Sequence, residues 1–343
     1  MDFLFTPEQD EAAALAAEIL ADKATPERMK AVEAAGDRFD RELWATLGDA
    51  FDWADLGLLE LARVLVEVGR TVAPVPLAVH GACVAFLGQV GHPADAPLYA
   101  AAVAEGHDHL PAAPTVVADA SGALTGTKTL VRAGMAADTL LVTATDADPS
   151  GSGTTGVYLV DAASVDRQPQ HTSDGDVTAL VTFDATPATR VGDETAAHSL
   201  GQLLTICAAA EQLGVTEGAL ALTSSYAKTR EQFGRPIGTF QAVSQRLADG
   251  FIDVLGQRLT LWQAVWRLDE GLPAATEVAV AKLWAADAGH RLAHTTVHVH
   301  GGVGIDLDGE AHRFFTTAKR FEFLFGGATD QALTIGRALA SRN

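Results

Sequence analysis

Tyr226-Ala227-Lys228-Thr229-Arg230-Glu231-Gln232-Phe233-Gly234-Arg235-Pro236-Ile237, followed by Phe240-Gln241, is the most informative stretch of this chain. Gly234 and Pro236 both disfavour a helix interior, and together they mark a break in the apolar periodicity on either side. Upstream, helical spacing runs from Leu200 to about Thr229. Downstream it resumes from Phe240 to Leu268 and again from Ala274 to about Val299, until Gly301-Gly302-Val303-Gly304 interrupts it. Arg230 stands at the break; its guanidinium is always charged and can grip a phosphate through two N–H groups. Gly301 and Gly302 lack a Cβ, so backbone there can approach an anion closely. Read singly, Arg230 is equally a solvated helix residue and the glycines a plain turn.

Working outward, the first part of the chain is also helical. Thr6-Pro7-Glu8 supplies a hydroxyl cap, proline at the first helical position and an acid. Apolar residues then recur at Ala13, Leu15, Ala16, Ile19 and Leu20, from Leu56 to Val68, and from Pro76 to Gly88. The middle is different. Val116-Val117, Leu140-Leu141-Val142-Thr143, Val157-Tyr158-Leu159-Val160 and Leu180-Val181-Thr182-Phe183 are short β-branched runs, separated by turns at Asp119 to Gly122 and Asp148 to Gly153. They predict a small antiparallel β domain. The expected class is α+β: an N-terminal helical domain (1–113), a central β domain (114–190) and a C-terminal four-helix bundle (191–343).

Bulk properties narrow the function. The net charge of −20 is uneven: residues 1–199 hold 11 basic and 30 acidic side chains, whereas the remainder hold 13 and 14. That field repels polyanions, so no nucleic-acid partner is expected, while a small anion is acceptable near the C-terminal arginines. Abundant Ala and Gly with only 6% aromatics predict closely packed helices. Cys83 and Cys207 stand far apart in apolar stretches and read as buried free thiols. The opening Met1-Asp2-Phe3-Leu4-Phe5-Thr6-Pro7 has no signal-peptide pattern, and no apolar run is long enough for a membrane span, so a cytoplasmic protein is expected.

The quoted stretch closely resembles the R-x-x-F-G-x-P-I-x-x-x-Q signature of acyl-CoA dehydrogenases. The resemblance covers nearly the whole chain: Leu124-Thr125-Gly126-Thr127-Lys128 with Ala137-Asp138 and Leu141-Val142, then Val181-Thr182-Phe183-Asp184, then His298-Val299-His300-Gly301-Gly302-Val303-Gly304, which looks like the family's Q-x-x-G-G-x-G loop. It implies that Arg230 grips the pyrophosphate of a neighbouring subunit's FAD. It also places Phe233, Gln232, Gln241, Gly301, Gly302 and His298 (where the family has Gln) against that cofactor.

The same resemblance shows what is missing. Family chemistry removes a Cα proton from an acyl thioester with a carboxylate, while a hydride passes from Cβ to the flavin. The usual base position falls on Phe325, in Leu324-Phe325-Gly326-Gly327; the other known position, about 22 residues before Tyr226, falls on Leu204. Neither is acidic. Lys128 is followed by Thr129-Leu130-Val131-Arg132, not the W-I-T/S that cradles a flavin ring, and no T-E-P-x-x-G-S-D segment precedes the β domain. This pattern resembles the short subunit of the actinobacterial heterotetrameric, steroid side-chain type of acyl-CoA dehydrogenase. It implies a longer partner carrying the catalytic Glu or Asp, a bulky acyl-CoA substrate, two FAD per tetramer and an electron-transfer flavoprotein or similar acceptor. Two other readings stand: a flavin-free structural or regulatory subunit, and a homomeric dehydrogenase whose displaced base is Glu322 or Asp330. Those two acids are expected instead to serve an ion-paired helix end and a helix start. His290, His294 and His298 share a helix face, but Asp287 sits one turn before Arg291 and reads as its surface partner, so no metal site is expected. Trp262 and Trp266 read as a packing stripe or a subunit interface.

Overall fold

The computed structural model describes residues 4–147 and 153–340. The turn expected at Asp148 to Gly153 therefore lies outside the described residues except for its last glycine, as do Met1 to Phe3. Five helices open the chain: α1 Pro7–Lys23, α2 Pro26–Ala34, α3 Arg41–Ala50, α4 Leu58–Arg70 and α5 Leu77–Gln89. The start of α1 is a capping box. The Gln9 N–H donates to the Thr6 hydroxyl at 3.3 Å, and the Thr6 N–H donates to Gln9 Oε1 at 3.0 Å.

Eight strands follow: β1 Tyr99–Ala102, β2 Val117–Ala118, β3 Leu124–Val131, β4 Thr139–Asp146, β5 Thr155–Asp161, β6 Asp166–Gln170, β7 Thr178–Thr186 and β8 Thr189–Gly192. They form one sheet in the order β6-β7-β3-β2-β4-β5-β8. The sheet is mostly antiparallel, with a departure at β4. One edge of β4 is shared between β1 (Tyr99 opposite Thr139) and β2 (Val117 opposite Thr145), both parallel to it. β1 lies upstream of residue 114, so the sheet draws on the first segment as well as the middle one. Residues Leu140 to Ala144 of β4 are all buried, and strands flank both its edges.

The C-terminal part is built on α6 Glu194–Thr229, an unbroken 36-residue helix. A ribbon of two short strands, β9 Glu231–Gln232 and β10 Arg235–Pro236, joins it to α7 Gln241–Asp269; α8 Ala275–His300, α9 Ala311–Phe323 and α10 Ala328–Ala340 complete the bundle. Small residues set the packing. A Cβ built on Gly214 of α6 would lie 2.0 Å from the Val66 carbonyl oxygen of α4, and one on Gly69 of α4 would lie 2.0 Å from the Glu211 carbonyl oxygen of α6. The two backbones touch, which the Ala- and Gly-rich composition allows. Phe5 packs edge-on against Trp262 of α7 (5.0 Å, 77°), tying the start of the chain to the bundle. Cys83 and Cys207 are buried free thiols, and burial pushes the Cys207 thiol up to about 12. No described helix is long and apolar enough to cross a membrane.

Candidate cofactor half-site

The ends of α6 and α8 leave the bundle together. Tyr226 stacks on His300 with ring centroids 4.3 Å apart, and the Thr223 and Thr296 hydroxyls are 3.1 Å apart one turn earlier. Arg230, four residues past Tyr226, and Gly301, next after His300, therefore emerge at the same end. The chain between α6 and α7 folds back on this end: the Ile237 N–H donates to the Arg230 carbonyl at 2.8 Å. Gln241 then opens α7 there, exposed to solvent.

Arg230 is not a helix residue. It caps α6 with ψ 122°, donating its N–H to the Tyr226 carbonyl at 2.8 Å, and its guanidinium faces solvent. Among the described residues, Lys228, Arg230 and Arg246 make no ion pair. Arg235 instead covers the Phe240 ring at 4.2 Å. Most other cations of the chain are paired with carboxylates, so this end carries unspent positive charge. That fits an anionic group such as a pyrophosphate.

Phe233 and Gly234 form the two-residue tip of the β9–β10 ribbon, with φ of 55° and 75°. Two consecutive left-handed residues are the signature of a type I′ hairpin turn. Gly adopts this conformation freely; Phe does so at a cost on the order of 1 kcal/mol. Phe233 is also 92% exposed. A strained, solvated aromatic is unfavourable for a lone chain and becomes intelligible when something covers it. The glycine loop has the same character. Gly301 has φ 65°, a Cβ on Gly301 or Gly302 would meet nothing within 4 Å, and Val303, Ile305 and Leu307 are exposed. His298 is exposed on the last turn of α8, and Gln232 on the ribbon. The arrangement offers an exposed wall whose charge and aromatic ring suit an anionic, aromatic-bearing ligand.

The two positions where the resemblance puts a base, Leu204 and Phe325, have no carboxylate. Leu204 is buried within α6. Phe325 is buried at φ 58°, and its carbonyl accepts from Gln331 Nε2 at 3.0 Å. The nearby acids are engaged elsewhere. Glu322 bonds Lys319 and His290 Nδ1, the latter at 3.1 Å, and Asp330 accepts the Gly327 N–H at 2.9 Å at the start of α10. Beneath them, the fully buried Lys282 donates to the Phe321 and Glu322 carbonyls at 3.0 and 3.2 Å; burial pushes its amine down to about 7. His290 is thus tied to Glu322, and His294 packs edge-on against Phe315. Arg291 does pair with Asp287 at 3.1 Å, but its main partner is Asp253 of α7, held by two bonds of 2.8 Å.

Sequence reasoning missed a buried charge cluster where the three parts of the chain meet. Arg132, just past β3, makes a bidentate pair with Glu211 of α6 at 2.9 and 3.1 Å and reaches Asp176 at 2.7 Å. Arg320 of α9 lies 3.0 Å from Asp174 and 2.9 Å from Asp176. Arg38, before α3, donates to Thr317 and to the Val72 carbonyl, both at 2.9 Å. Burial works against charge in this cluster, yet Glu211 and Asp176 hold the Arg132 pKa above the ordinary arginine value. Likewise Arg320 and Arg38 outweigh burial and hold the Asp174 carboxyl below its ordinary range. The six residues span positions 38 to 320, so no local spacing could reveal them.

Comparison with known proteins agrees with this architecture. The model of the acyl-CoA dehydrogenase C-terminal domain matches residues 203–340. Acyl-CoA dehydrogenase FadE27 of Mycobacterium tuberculosis is 41% identical, over 99% of this chain and 99% of that protein. A chain of the ChsE4-ChsE5 complex from Mycobacterium tuberculosis superposes with a TM-score of 0.90 at 40% identity, covering 99% of both chains. A chain of a Tcur3481-Tcur3483 steroid ACAD variant gives 0.90 at 35%, covering 97% of this chain and 98% of its own. Similar in sequence from end to end, and in fold to the same extent, the chain belongs to the acyl-CoA dehydrogenase family.

Proposed function

We propose that this chain is the base-lacking subunit of a heteromeric, FAD-dependent acyl-CoA dehydrogenase, completing the FAD site of a longer partner that carries the catalytic carboxylate. The observation that supports this best is the pairing of an unpartnered Arg230 with the exposed, strained Phe233, while Phe325 and Leu204 occupy the two base positions. Two relatives bear paired names, ChsE4-ChsE5 and Tcur3481-Tcur3483, the second a steroid ACAD, which favours a bulky, steroid side-chain acyl-CoA as substrate. Two such chains and two longer ones would hold two FAD, with an electron-transfer flavoprotein or similar acceptor downstream.

When bound, FAD supplies the acceptor for the hydride leaving Cβ of the acyl thioester. This chain's part is to bind and orient. The Arg230 guanidinium would neutralise the pyrophosphate, Phe233 would keep water from the cofactor, and the Gly301-Gly302 backbone would allow close approach without side-chain hindrance; Gln232, Gln241 and His298 would serve as hydrogen-bonding groups. The Cα proton goes to the partner's carboxylate. Co-expression with the partner and Arg230→Ala tests the reading. Loss of most FAD from an assembly that still forms supports it; full FAD occupancy favours a flavin-free structural role. A purified single chain that is yellow and oxidises an acyl-CoA refutes it.

A further inference from the structure

Helices α3 and α5 and the loop after α3 build a second concavity, on elements that the half-site does not use. Trp44 of α3 stacks on Trp53 with ring centroids 6.2 Å apart and 15° between planes, and Phe51 stacks on Trp53 at 5.3 Å and 24°. The His80 ring of α5 stands edge-on to Trp44 at 5.0 Å and 87°. These four rings, with Gly48 and Pro97 among others, line a cavity of about 600 Å3. Small-molecule sites run from about 300 to 1,000 Å3 and are mostly apolar, with a few placed polar groups. Every lining residue falls between Trp44 and Pro97, whereas the half-site stands at the ends of α6 and α8.

One polar group opens into this hollow. His80 is only 3% exposed. The Tyr99 N–H donates to its Nδ1 at 3.1 Å, so the neutral ring carries its proton on Nε2. Nε2 has no partner among the described residues, yet it is not sealed inside the protein, so it faces the cavity that His80 lines. Burial holds the His80 pKa down at about 4, which leaves an uncharged donor at neutral pH. A largely buried N–H without an acceptor is unfavourable, and a ligand oxygen would satisfy it. The surrounding charge selects against ions. Asp49 and Asp52 line the cavity and no described Lys or Arg does, which disfavours an anion. Aromatic faces beside acids would suit a cation, but a cation brings no acceptor for Nε2 and meets the positive end of its N–H dipole.

We propose that this cavity is a binding site for a neutral fused-ring compound bearing a carbonyl oxygen. The rings of Trp44, Phe51 and Trp53 cover the apolar body of the ligand, and His80 Nε2 donates to its oxygen. Aromatic side chains suit such a body because they bury a large area at little entropic cost and pack edge-on or offset against other rings. The site is separate from the FAD half-site and does not rest on that reading.

Equilibrium dialysis of the full chain tests it with 1-tetralone, a fused-ring ketone, and with tetralin, the same rings without the oxygen. Tetralone is expected to bind saturably, one molecule per chain, and about tenfold more tightly than tetralin. Gly48→Phe fills the hollow from a helical position where a Cβ meets nothing within 4 Å, and should abolish tetralone binding. His80→Gln keeps an acceptor for the Tyr99 N–H and a donor for the ligand, so it should retain the preference for tetralone over tetralin. His80→Phe should lose that preference; if it does not fold, Gly48→Phe still decides the case. Absent tetralone binding, undiminished binding by Gly48→Phe, or equal affinity for tetralone and tetralin overturns the proposal. Tighter binding of benzyltrimethylammonium or of 2-naphthoate also overturns it, since the site would then belong to a cation or an anion. None of these outcomes depends on FAD, so failure of the half-site reading would leave them unchanged.

Discussion

The contact between α4 and α6 gives a sharp quantitative prediction. In Gly214→Ala the new Cβ would meet the Val66 carbonyl oxygen at 2.0 Å and the Arg70 nitrogen at 2.8 Å, whereas ordinary contact begins at 3.4 Å. Both obstacles are backbone, so no rotamer change relieves them, and the helices must part by about 1.4 Å along that line. Overpacking costs on the order of 3 kcal/mol at the severe end of its range. The helix itself gains about 1 kcal/mol, since Ala is the better helix former. The net loss is ~2 kcal/mol, a fall of a few degrees in melting temperature. Gly336→Ala is the matched control. Gly336 lies within α10 and a Cβ there meets nothing within 4 Å, so the same chemical change should raise stability by roughly 0.5–1 kcal/mol. Thermal melts of the two variants beside wild type read the opposite signs. If Gly214→Ala melts with wild type or above it, the two backbones are not in contact and the packing argument fails.

Other expectations follow from the site. Phe233→Asn should keep or slightly raise the stability of the isolated chain, since Asn tolerates the left-handed turn at little cost, yet speed FAD release from the assembly; an unchanged release rate would remove Phe233 from the half-site. Glu322→Gln and Asp330→Asn should leave turnover of the assembly unaltered, and a large drop in either would revive the displaced-base reading. Burial holds the Lys282 amine at about 7 in the fold, while in the unfolded chain it keeps its proton to about 10.4. Between these values the unfolded state binds more protons, so this residue makes stability rise with pH. Lys282→Met should flatten that rise, seen as a melting-temperature difference, variant minus wild type, that falls as pH rises from about 7 to about 10; parallel pH profiles would refute it.

Much of the fold was legible locally. Helices expected from Leu200 to Thr229, Phe240 to Leu268 and Ala274 to Val299 occur as Glu194–Thr229, Gln241–Asp269 and Ala275–His300, because 3.6-residue periodicity and glycine or proline stops are properties of neighbouring residues. The Thr6-Pro7 start held for the same reason, with Gln9 completing the capping box. Tyr99–Ala102 was not legible: three alanines favour helix on propensity, and only parallel pairing with β4 makes them a strand. The short helices α2 and α3 lacked a periodic run long enough to stand out. Arg230, Phe233, Gly301 and Gly302 could be singled out from their motif, whereas their meeting at one end depends on Tyr226 finding His300, a contact across 74 positions. The charge cluster was the least legible feature, since Arg38, Arg132 and Arg320 look like surface residues until Asp174, Asp176 and Glu211 surround them.

The long helix α6 connects the two features that matter most. Glu211, locked in the buried charge cluster, and Arg230, at the exposed end, are nineteen residues apart along one continuous helix and its cap, about 28 Å at 1.5 Å per residue. Such a rod behaves as a lever whose fulcrum is the Gly69–Gly214 crossing. A tilt of a few degrees at the buried end would swing the guanidinium by more than an ångström, enough to miss a diphosphate. The place of Arg230 is therefore tied to packing in the interior, and substitutions far from it can still move its guanidinium.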